Sequence, residues 1–271
     1  MSILDRSVVK ISGPDTISFL QSIITNDANK LDDKKAIYSL ILNPKGRILY
    51  DFFLLMHDSG DDNECVLLDC NSSFTSDLVE MLNFYKFHAK VEIEDVSEHY
   101  SVAIVANNGA ENAIAVFSDP RNQNLANHAI LPKNQKLDLP QISPKDYNLA
   151  RIKKLIPDCA LDVASGKSFP LEFGLQNAIS FSKGCYIGQE VVSRAFNSGV
   201  VRKKLYLVCA EETLPGFGTE IIADDNKIGT MCSSEGNIGL ALLRISEINS
   251  ITKNKSAIFA ADIPLNVSSN P

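Results

Sequence analysis

A chain of 271 residues, 45% hydrophobic and 22% charged, can bury two or three cores and is too mixed in composition for a disordered or low-complexity protein. Its formal net charge of −7 excludes a protein that coats nucleic acid without preference, because such proteins present a basic face. The dense basic runs, Arg202-Lys203-Lys204 and Lys153-Lys154, read as a solvated strand end and a solvated helix face.

Residues 7–11 (Ser-Val-Val-Lys-Ile) read as a strand. Ser12-Gly13-Pro14 opens a helix in which Pro14 suits the first turn and Ile17, Leu20 and Ile24 recur at helical spacing. Residues 36–42 and 47–56 are apolar and rich in strand formers, and Asn43-Pro44-Lys45-Gly46 between them has the turn chemistry of a hairpin. A strand at 64–69 precedes a helix with Phe74, Leu78, Met81, Leu82 and Tyr85 on one face; residues 89–94 then alternate as a further strand. The order β-α-β-β-β-α-β is that of a ferredoxin-like unit with one extra strand, an α+β arrangement.

Residues 100–106 begin a second α+β segment. The stretch 118–146, rich in Asn, Gln, Pro and Asp, is expected to be mostly loop, and Ser143-Pro144 to cap a helix carrying Tyr147, Ala150, Arg151 and Lys154. Beyond about residue 200, short strands alternate with turns at Pro215-Gly216, Asp225-Asn226 and Glu235-Gly236-Asn237, the rhythm of a small β-barrel or sandwich. The expected domains are an N-terminal ferredoxin-like lobe at 1–98, a second α+β lobe at 99–199 and a C-terminal barrel at 200–271.

The six cysteines, at 65, 70, 159, 185, 209 and 232, show no C-x-x-C spacing, so neither a zinc or redox pair nor a disulfide scaffold is expected, and a reducing cytoplasm is the simplest compartment. No signal-peptide pattern opens the chain, and no apolar stretch approaches the ~20 residues that span a bilayer. Cys185 alone has an activating setting. It sits in Lys183-Gly184-Cys185-Tyr186-Ile187-Gly188-Gln189-Glu190, just ahead of a helix expected at about 188–197 from Val191, Val192, Ala195 and Phe196. Unpaired N–H groups at a helix start favour a thiolate, Lys183 adds a positive charge, and the glycines let the backbone come close to a ligand. The other five cysteines read as small buried hydrophobes. His57, His88, His99 and His128 lie in no motif that would pair one of them with Cys185 as a hydrolase base.

The ten residues Phe181-Ser-Lys183-Gly184-Cys185-Tyr186-Ile-Gly188-Gln189-Glu190 resemble the hallmark of the YgfZ family of folate-binding proteins, which includes a mitochondrial iron–sulfur assembly factor and is related to the glycine-cleavage aminomethyltransferase, the T-protein. Pro170-Leu-Glu172-Phe-Gly174-Leu175, Gly199-Val-Val-Arg202-Lys203-Lys204-Leu205, Ile11-Ser-Gly13-x-Asp15, Thr25-Asn26-Asp27 and Gly46-Arg47-Ile-Leu-Tyr50-Asp51 extend the resemblance over nearly the whole chain. It implies an aminomethyltransferase-like α+β fold, with two ferredoxin-like or α+β lobes and a small β-barrel around a central channel that holds tetrahydrofolate. It implies a role in assembling or repairing [4Fe–4S] proteins, with an indirect effect on tRNA methylthiolation.

The resemblance makes Cys185 the functional thiol, framed by Lys183, Gln189 and Glu190. It places folate contacts at Glu172, whose carboxylate suits the 2-amino-4-oxo edge of a pterin, and at Tyr147, Tyr186, Asp51 and Asp69. Tyr147 falls where some members of the family carry a folate-contacting Trp, the family's other contact Trp falls at Ser7, and this chain has no Trp. No tightly bound metal is expected. A cluster ligated by Cys185 would be shared with a partner, because no three- or four-cysteine set is visible. The implied partners are iron–sulfur assembly proteins of the A-type carrier kind and [4Fe–4S] client enzymes, with neither nucleic acid nor membrane.

One departure bears on activity. Aminomethyltransferases carry two adjacent aspartates where this chain has Tyr50-Asp51, and a neutral phenol does not replace the first carboxylate in proton transfer. A folate-dependent one-carbon transferase is therefore the alternative reading, and a non-catalytic interaction module with a packed Cys185 is the third.

Overall fold

The computed structural model describes residues 4–31, 36–58, 64–106, 112–133, 142–254 and 256–268. The chain forms two compact units, Met1–Tyr147 with Asn177–Gln189, and Asn148–Gln176 with Glu190–Pro271. The segment expected as one lobe, 99–199, is thus shared between them.

The first unit opens with β1 (Arg6–Ser12), α1 (Thr16–Ile23), β2 (Ile37–Leu42), β3 (Ile48–Asp58), β4 (Glu64–Asn71), α2 (Thr75–Tyr85) and β5 (Glu92–Asp95), the order expected. The strands make one antiparallel sheet in the order β2-β3-β4-β1-β5. Removing β2 leaves the ferredoxin-like arrangement, so β2 is the extra strand. Helix α1 starts two residues after Pro14 because Ser12-Gly13-Pro14 is spent on a turn: Gly13 has φ +116° and the Thr16 hydroxyl donates back to its carbonyl at 2.8 Å. Strand β5 starts later than residue 89 because the amides of Ala89 and Val91 close turns onto Lys86 and Ala89.

Alternation builds the core. Val9 and Ile11, Phe52 and Leu54, and Val66 and Leu68 turn one face of the sheet toward Phe19, Leu20 and Ile23 of α1 and Leu78 and Leu82 of α2. The opposite face, with Val8, Phe53 and Leu67, is also buried. It meets a second sheet of β6 (Tyr100–Val105), β7 (Ala115–Phe117) and β8 (Asn127–Pro132), ordered β6-β8-β7. The Phe53 ring lies 5.6 Å from Phe117 and 4.6 Å from His128.

Strand β8 interrupts the stretch 118–146 that was expected to be mostly loop, of which 134–141 lie outside the described residues. Its apolar run, Ala129-Ile130-Leu131, is only three residues long and sits among Asn, His and Pro, so no periodicity announces it. It forms because β6 and β7 pair with it on both edges. Those partners lie outside any local sequence window.

Helix α3 (Pro144–Lys153) begins as expected, with the Asp146 amide donating to the Ser143 hydroxyl at 3.1 Å. Within the second unit it is tied to the short turn α4 (Cys159–Asp162) by Arg151, which is fully buried. Its guanidinium donates to Asp162 Oδ2 at 2.7 Å, the Ile156 carbonyl at 3.2 Å and the Ser233 hydroxyl at 2.7 Å.

Helix α5 (Gln189–Ser198) leads to the barrel strands β9 (Lys203–Cys209), β10 (Glu220–Ala223), β11 (Asn226–Glu235), β12 (Ile238–Arg244), β13 (Ile258–Ala260) and β14 (Ile263–Ser268). They close in the order β10-β11-β12-β9-β14-β13 around Val208, Ile221, Ile228, Met231, Ala241 and Leu243. The β10–β11 turn uses Asp224 and Asp225, both at positive φ (47° and 61°), one residue earlier than the sequence suggested. Helix α6 (Ile245–Asn254) between β12 and β13 was not expected, although Ile245, Ile248 and Ile251 carry its spacing.

Candidate functional site

The residues singled out by sequence fall in both units. Cys185, Lys183, Tyr186, Gln189, Asp51, Asp69 and Tyr147 belong to the first, and Glu172 and Glu190 to the second.

In the first unit, Cys185 is an exposed free thiol in an irregular segment, four residues ahead of Gln189, the first residue of α5. The Gln189 amide donates to the Tyr186 carbonyl at 3.2 Å, which closes the turn into the helix. Lys183 does not present its ammonium as a free surface charge. Its Nζ donates to the backbone carbonyls of Ile24 at 2.7 Å and Asn26 at 2.9 Å, and it lies 5.2 Å from the centre of the Tyr186 ring. Burial pulls its pKa down to about 8, with Asp27 opposing the change. The Tyr186 ring is buried and its hydroxyl has no hydrogen-bond partner among the described residues, and burial pushes its pKa up to about 12.

Asp69 and Tyr147 come together in a way the sequence did not show. His128, fully buried on β8, stands between them: its Nδ1 is 3.2 Å from Asp69 Oδ2 and its Nε2 is 3.1 Å from the Tyr147 hydroxyl. A carboxylate only accepts, so Nδ1 carries the proton facing Asp69. Arg6 also pairs with Asp69 through Nε, and its Nη2 donates to the Asp69 carbonyl at 2.8 Å. Burial alone would raise the Asp69 carboxyl, but Arg6 and His128 outweigh it and hold the group below the usual carboxylate range.

On the far side of Tyr147, Arg121 donates to the phenol oxygen at 2.8 Å and to Asp119 Oδ2 at 2.7 Å. The Arg121 guanidinium lies 4.9 Å from the Phe53 ring centre and 5.2 Å from that of Tyr38. The single phenolic proton has two acceptors in reach, His128 Nε2 at 3.1 Å and Asp119 Oδ2 at 3.3 Å. Tyr147 is thereby anchored by its hydroxyl, and its ring stands edge-on to His128. Asp119, Arg121 and His128 escaped sequence reasoning because they sit in the stretch read as loop. Asp119-Pro120-Arg121 was the available signal, an acid and a base two residues apart about a turn former.

Asp51 is buried on β3 and accepts the Tyr38 hydroxyl at 2.8 Å. Tyr50, its neighbour on the other face, packs against the helix-side core and meets Phe74 edge-on at 5.6 Å. Burial raises its pKa, and Asp77 and Glu80 push it the same way.

In the second unit, Glu172 lies in the helical turn Pro170–Phe173 and accepts the Phe169 amide at 3.3 Å. It is on the wall of a pocket of about 210 Å³ lined by Phe169–Glu172, Val192, Ala195 and Val200–Arg202. The walls are largely aliphatic and aromatic, with one carboxylate and one guanidinium. Glu190, on the exposed side of α5, pairs with Arg194 one turn on at 2.6 Å. Among the described residues, no group of three or more His, Cys, Asp or Glu is placed to hold a metal ion.

Residues 4–131 match the GCVT N-terminal domain model, and residues 202–270 match the CAF17 C-terminal beta-barrel domain model. The mouse protein named iron-sulfur cluster assembly factor IBA57, mitochondrial, is 30% identical over 279 residues, covering 90% of this chain and 76% of its own length. The human protein of the same name is 30% identical over 272 residues, covering 88% of this chain and 75% of its own. The Mycosarcoma maydis homologue is 33% identical over 218 residues, 74% of this chain and 54% of its own. The crystal structure of the glycine cleavage system aminomethyltransferase T from Bartonella henselae superposes with a TM-score of 0.71 at 13% identity, covering 98% of this chain and 84% of that one. This last likeness shows the aminomethyltransferase-like fold, in agreement with the α+β units and the closed barrel.

Proposed function

The chain belongs to the family of the iron–sulfur cluster assembly factors IBA57, and on that premise we propose that it supports the assembly or repair of [4Fe–4S] proteins. The single observation that carries this reading is the exposed Cys185, the one thiol of the family-like motif, presented on a segment that is hydrogen-bonded into the first unit rather than packed away. A thiolate there can ligate or relay a cluster or sulfur species only together with ligands from a partner, because one cysteine does not complete an iron site. The partners we propose are assembly proteins of the A-type carrier kind and [4Fe–4S] client enzymes, with tRNA methylthiolation affected through a cluster-dependent client.

Tetrahydrofolate is the proposed cofactor. The pocket beside Glu172 supports it: the carboxylate can accept the N–H groups of a pterin edge, and aliphatic and aromatic walls suit a flat bicyclic ring. One-carbon transfer is disfavoured, because the position of the first catalytic aspartate is held by Tyr50, whose partly buried ring packs against the core. The proposed setting is a reducing compartment, in keeping with six cysteines that form no disulfide. The relatives named above are mitochondrial, and no helix among the described residues is long and apolar enough to cross a membrane.

Titration of wild type, Glu172→Gln and Cys185→Ala with tetrahydrofolate, alongside rescue of a [4Fe–4S] enzyme in cells lacking the protein, tests the reading. Weakened binding by Glu172→Gln and lost rescue with intact binding by Cys185→Ala are expected. Full rescue by Cys185→Ala would remove the thiol from the function, and equal affinity of Glu172→Gln would remove the folate site from this pocket.

A further inference from the structure

We propose that the turn Thr25–Asp27 is the seat that positions the Cys185 thiol and that Lys183 is the pin that holds the thiol-bearing segment in that seat. The proposal rests on the reading of Cys185 as the functional thiol, and it assigns positioning roles to Lys183, Thr25 and Asn26.

The argument begins at the sheet edge. Strand β2 is an edge strand, yet all six of its residues are buried. What serves its free edge is the Thr25-Asn26 turn. The Thr25 amide donates to the Leu40 carbonyl at 2.9 Å, and the Leu40 amide donates to the Thr25 hydroxyl at 3.0 Å. The Asn26 side-chain amide donates to the Tyr38 carbonyl at 2.8 Å, and its backbone amide to the Ser39 hydroxyl at 2.9 Å. The turn therefore acts as a short substitute strand along the sheet edge.

The same residues bond outward to the motif segment. The Ser180 amide donates to the Thr25 carbonyl at 2.9 Å, the Thr25 hydroxyl to the Ala178 carbonyl at 2.6 Å, and Asn26 Nδ2 to the Asn177 carbonyl at 3.2 Å. Lys183 closes the set with its two bonds to the Ile24 and Asn26 carbonyls. Such bonds from a charged donor to carbonyls are among the stronger ones a surface segment can make. Beyond Cys185 the second fixed point is Gly188, at φ +81° and in backbone contact with the Asn43–Gly46 hairpin. Cys185 thus lies between a pin two residues before it and a close approach three residues after it. Lys183 acts through the backbone it holds: two of its ammonium protons are committed to carbonyls.

The test uses the full chain, with Lys183→Met and Lys183→Arg. Three readouts are taken: amide exchange of the peptide spanning 177–188, iodoacetamide modification of Cys185 relative to the exposed Cys209, and rescue of a [4Fe–4S] enzyme in cells lacking the protein. Lys183→Met is expected to raise exchange across 177–188 at least tenfold while β1 and β4 stay within twofold. It should also change the Cys185-to-Cys209 modification ratio at least threefold and lower rescue. Lys183→Arg, which keeps donors for both carbonyls, should return all three toward wild type.

Exchange within twofold of wild type in Lys183→Met overturns the proposal. So does full rescue despite loosened exchange, and so does a loss of Cys185 reactivity that Lys183→Arg restores without any change in exchange, which would mark a purely electrostatic role. Should Lys183→Met loosen β4 as well, Lys183→Leu, which likewise has no donor, replaces it, and wild-type exchange in that variant is equally fatal. Full rescue by Cys185→Ala would instead sink the reading of the thiol itself and with it the functional half of this proposal. The exchange data would still decide whether the turn holds the segment.

Discussion

A Cβ on Gly188 would stand 2.6 Å from the carbonyl oxygen of Asn43 and 3.0 Å from the Cα of Gly46. Both neighbours are backbone in a tight turn, where the Asn43 side chain accepts the amides of Lys45 and Arg47 at 3.0 and 3.1 Å. They have little room to move. Gly188 is also at φ +81°, a region that costs an L side chain about 1–3 kcal/mol. Gly188→Ala is therefore expected to lower stability by at least about 2 kcal/mol in urea unfolding. A change below about 0.5 kcal/mol would show that the segment and the hairpin are not in contact in solution.

The buried carboxylates make stability acid-sensitive. Asp119 is held below the usual carboxylate range because Arg121, and His128 after it, outweigh burial, as Arg6 and His128 do at Asp69. A depressed folded pKa means that the unfolded chain binds more protons in that window. The stabilisation is thus complete above pH ~4 and is lost as pH falls through the lower folded values. Urea midpoints should decline steeply below pH ~4, and Asp119→Asn should be less stable at pH 7 with a flatter acid limb. An equally steep limb in the variant would exclude Asp119 as a source.

Arg151 and Asp162 form a buried pair at 2.7 Å within the second unit, and Asp162 also accepts the amides of Asp158 at 2.7 Å and Ser233 at 2.6 Å. Arg151→Met would leave a buried carboxylate without its counter-charge, at a cost of about 3–5 kcal/mol. Arg151→Met with Asp162→Asn should recover part of that loss. Thermal melts of the single and double variants decide it, and additivity would show that the two side chains are not coupled.

Tyr186 predicts the opposite sign. Its hydroxyl is buried without a hydrogen-bond partner among the described residues, so removing it relieves an unmet desolvation penalty. Tyr186→Phe should leave stability unchanged or raise it by up to about 1 kcal/mol in urea unfolding. Lost rescue in cells at undiminished stability would show that the hydroxyl serves a bound ligand or partner. A stability loss above about 1 kcal/mol contradicts the structure.

Much of the first unit was legible because its signals are local. The Val9/Ile11, Phe52/Leu54 and Val66/Leu68 alternations, the Asn43–Gly46 turn and the Ser143 cap each lie within a few residues, and each forms where the residues say. Strand β8 was not legible, because it depends on two partners, one of them more than twenty residues away, that supply its hydrogen bonds. His128 was invisible as a bridge for the same reason: its two partners are 59 and 19 residues distant, and only the packing of two sheets brings them to it.

The residue pattern alone determined the family motif and the α+β order, left the C-terminal strands as a barrel or sandwich until the resemblance pointed to a barrel, and singled out Cys185 as the candidate thiol. Tertiary structure decided what those residues touch. Lys183, read from its position as a charge beside the thiol, spends its ammonium on carbonyls 159 and 157 residues away. Glu172 caps its own turn on a pocket wall, and Asp69 and Tyr147 join through a histidine that no motif marked. The physical reason is common to all of them. Periodicity and turn chemistry are set by bond geometry over a few residues, whereas the partner of a long polar side chain is set by which distant backbone or charge the fold leaves within hydrogen-bonding reach.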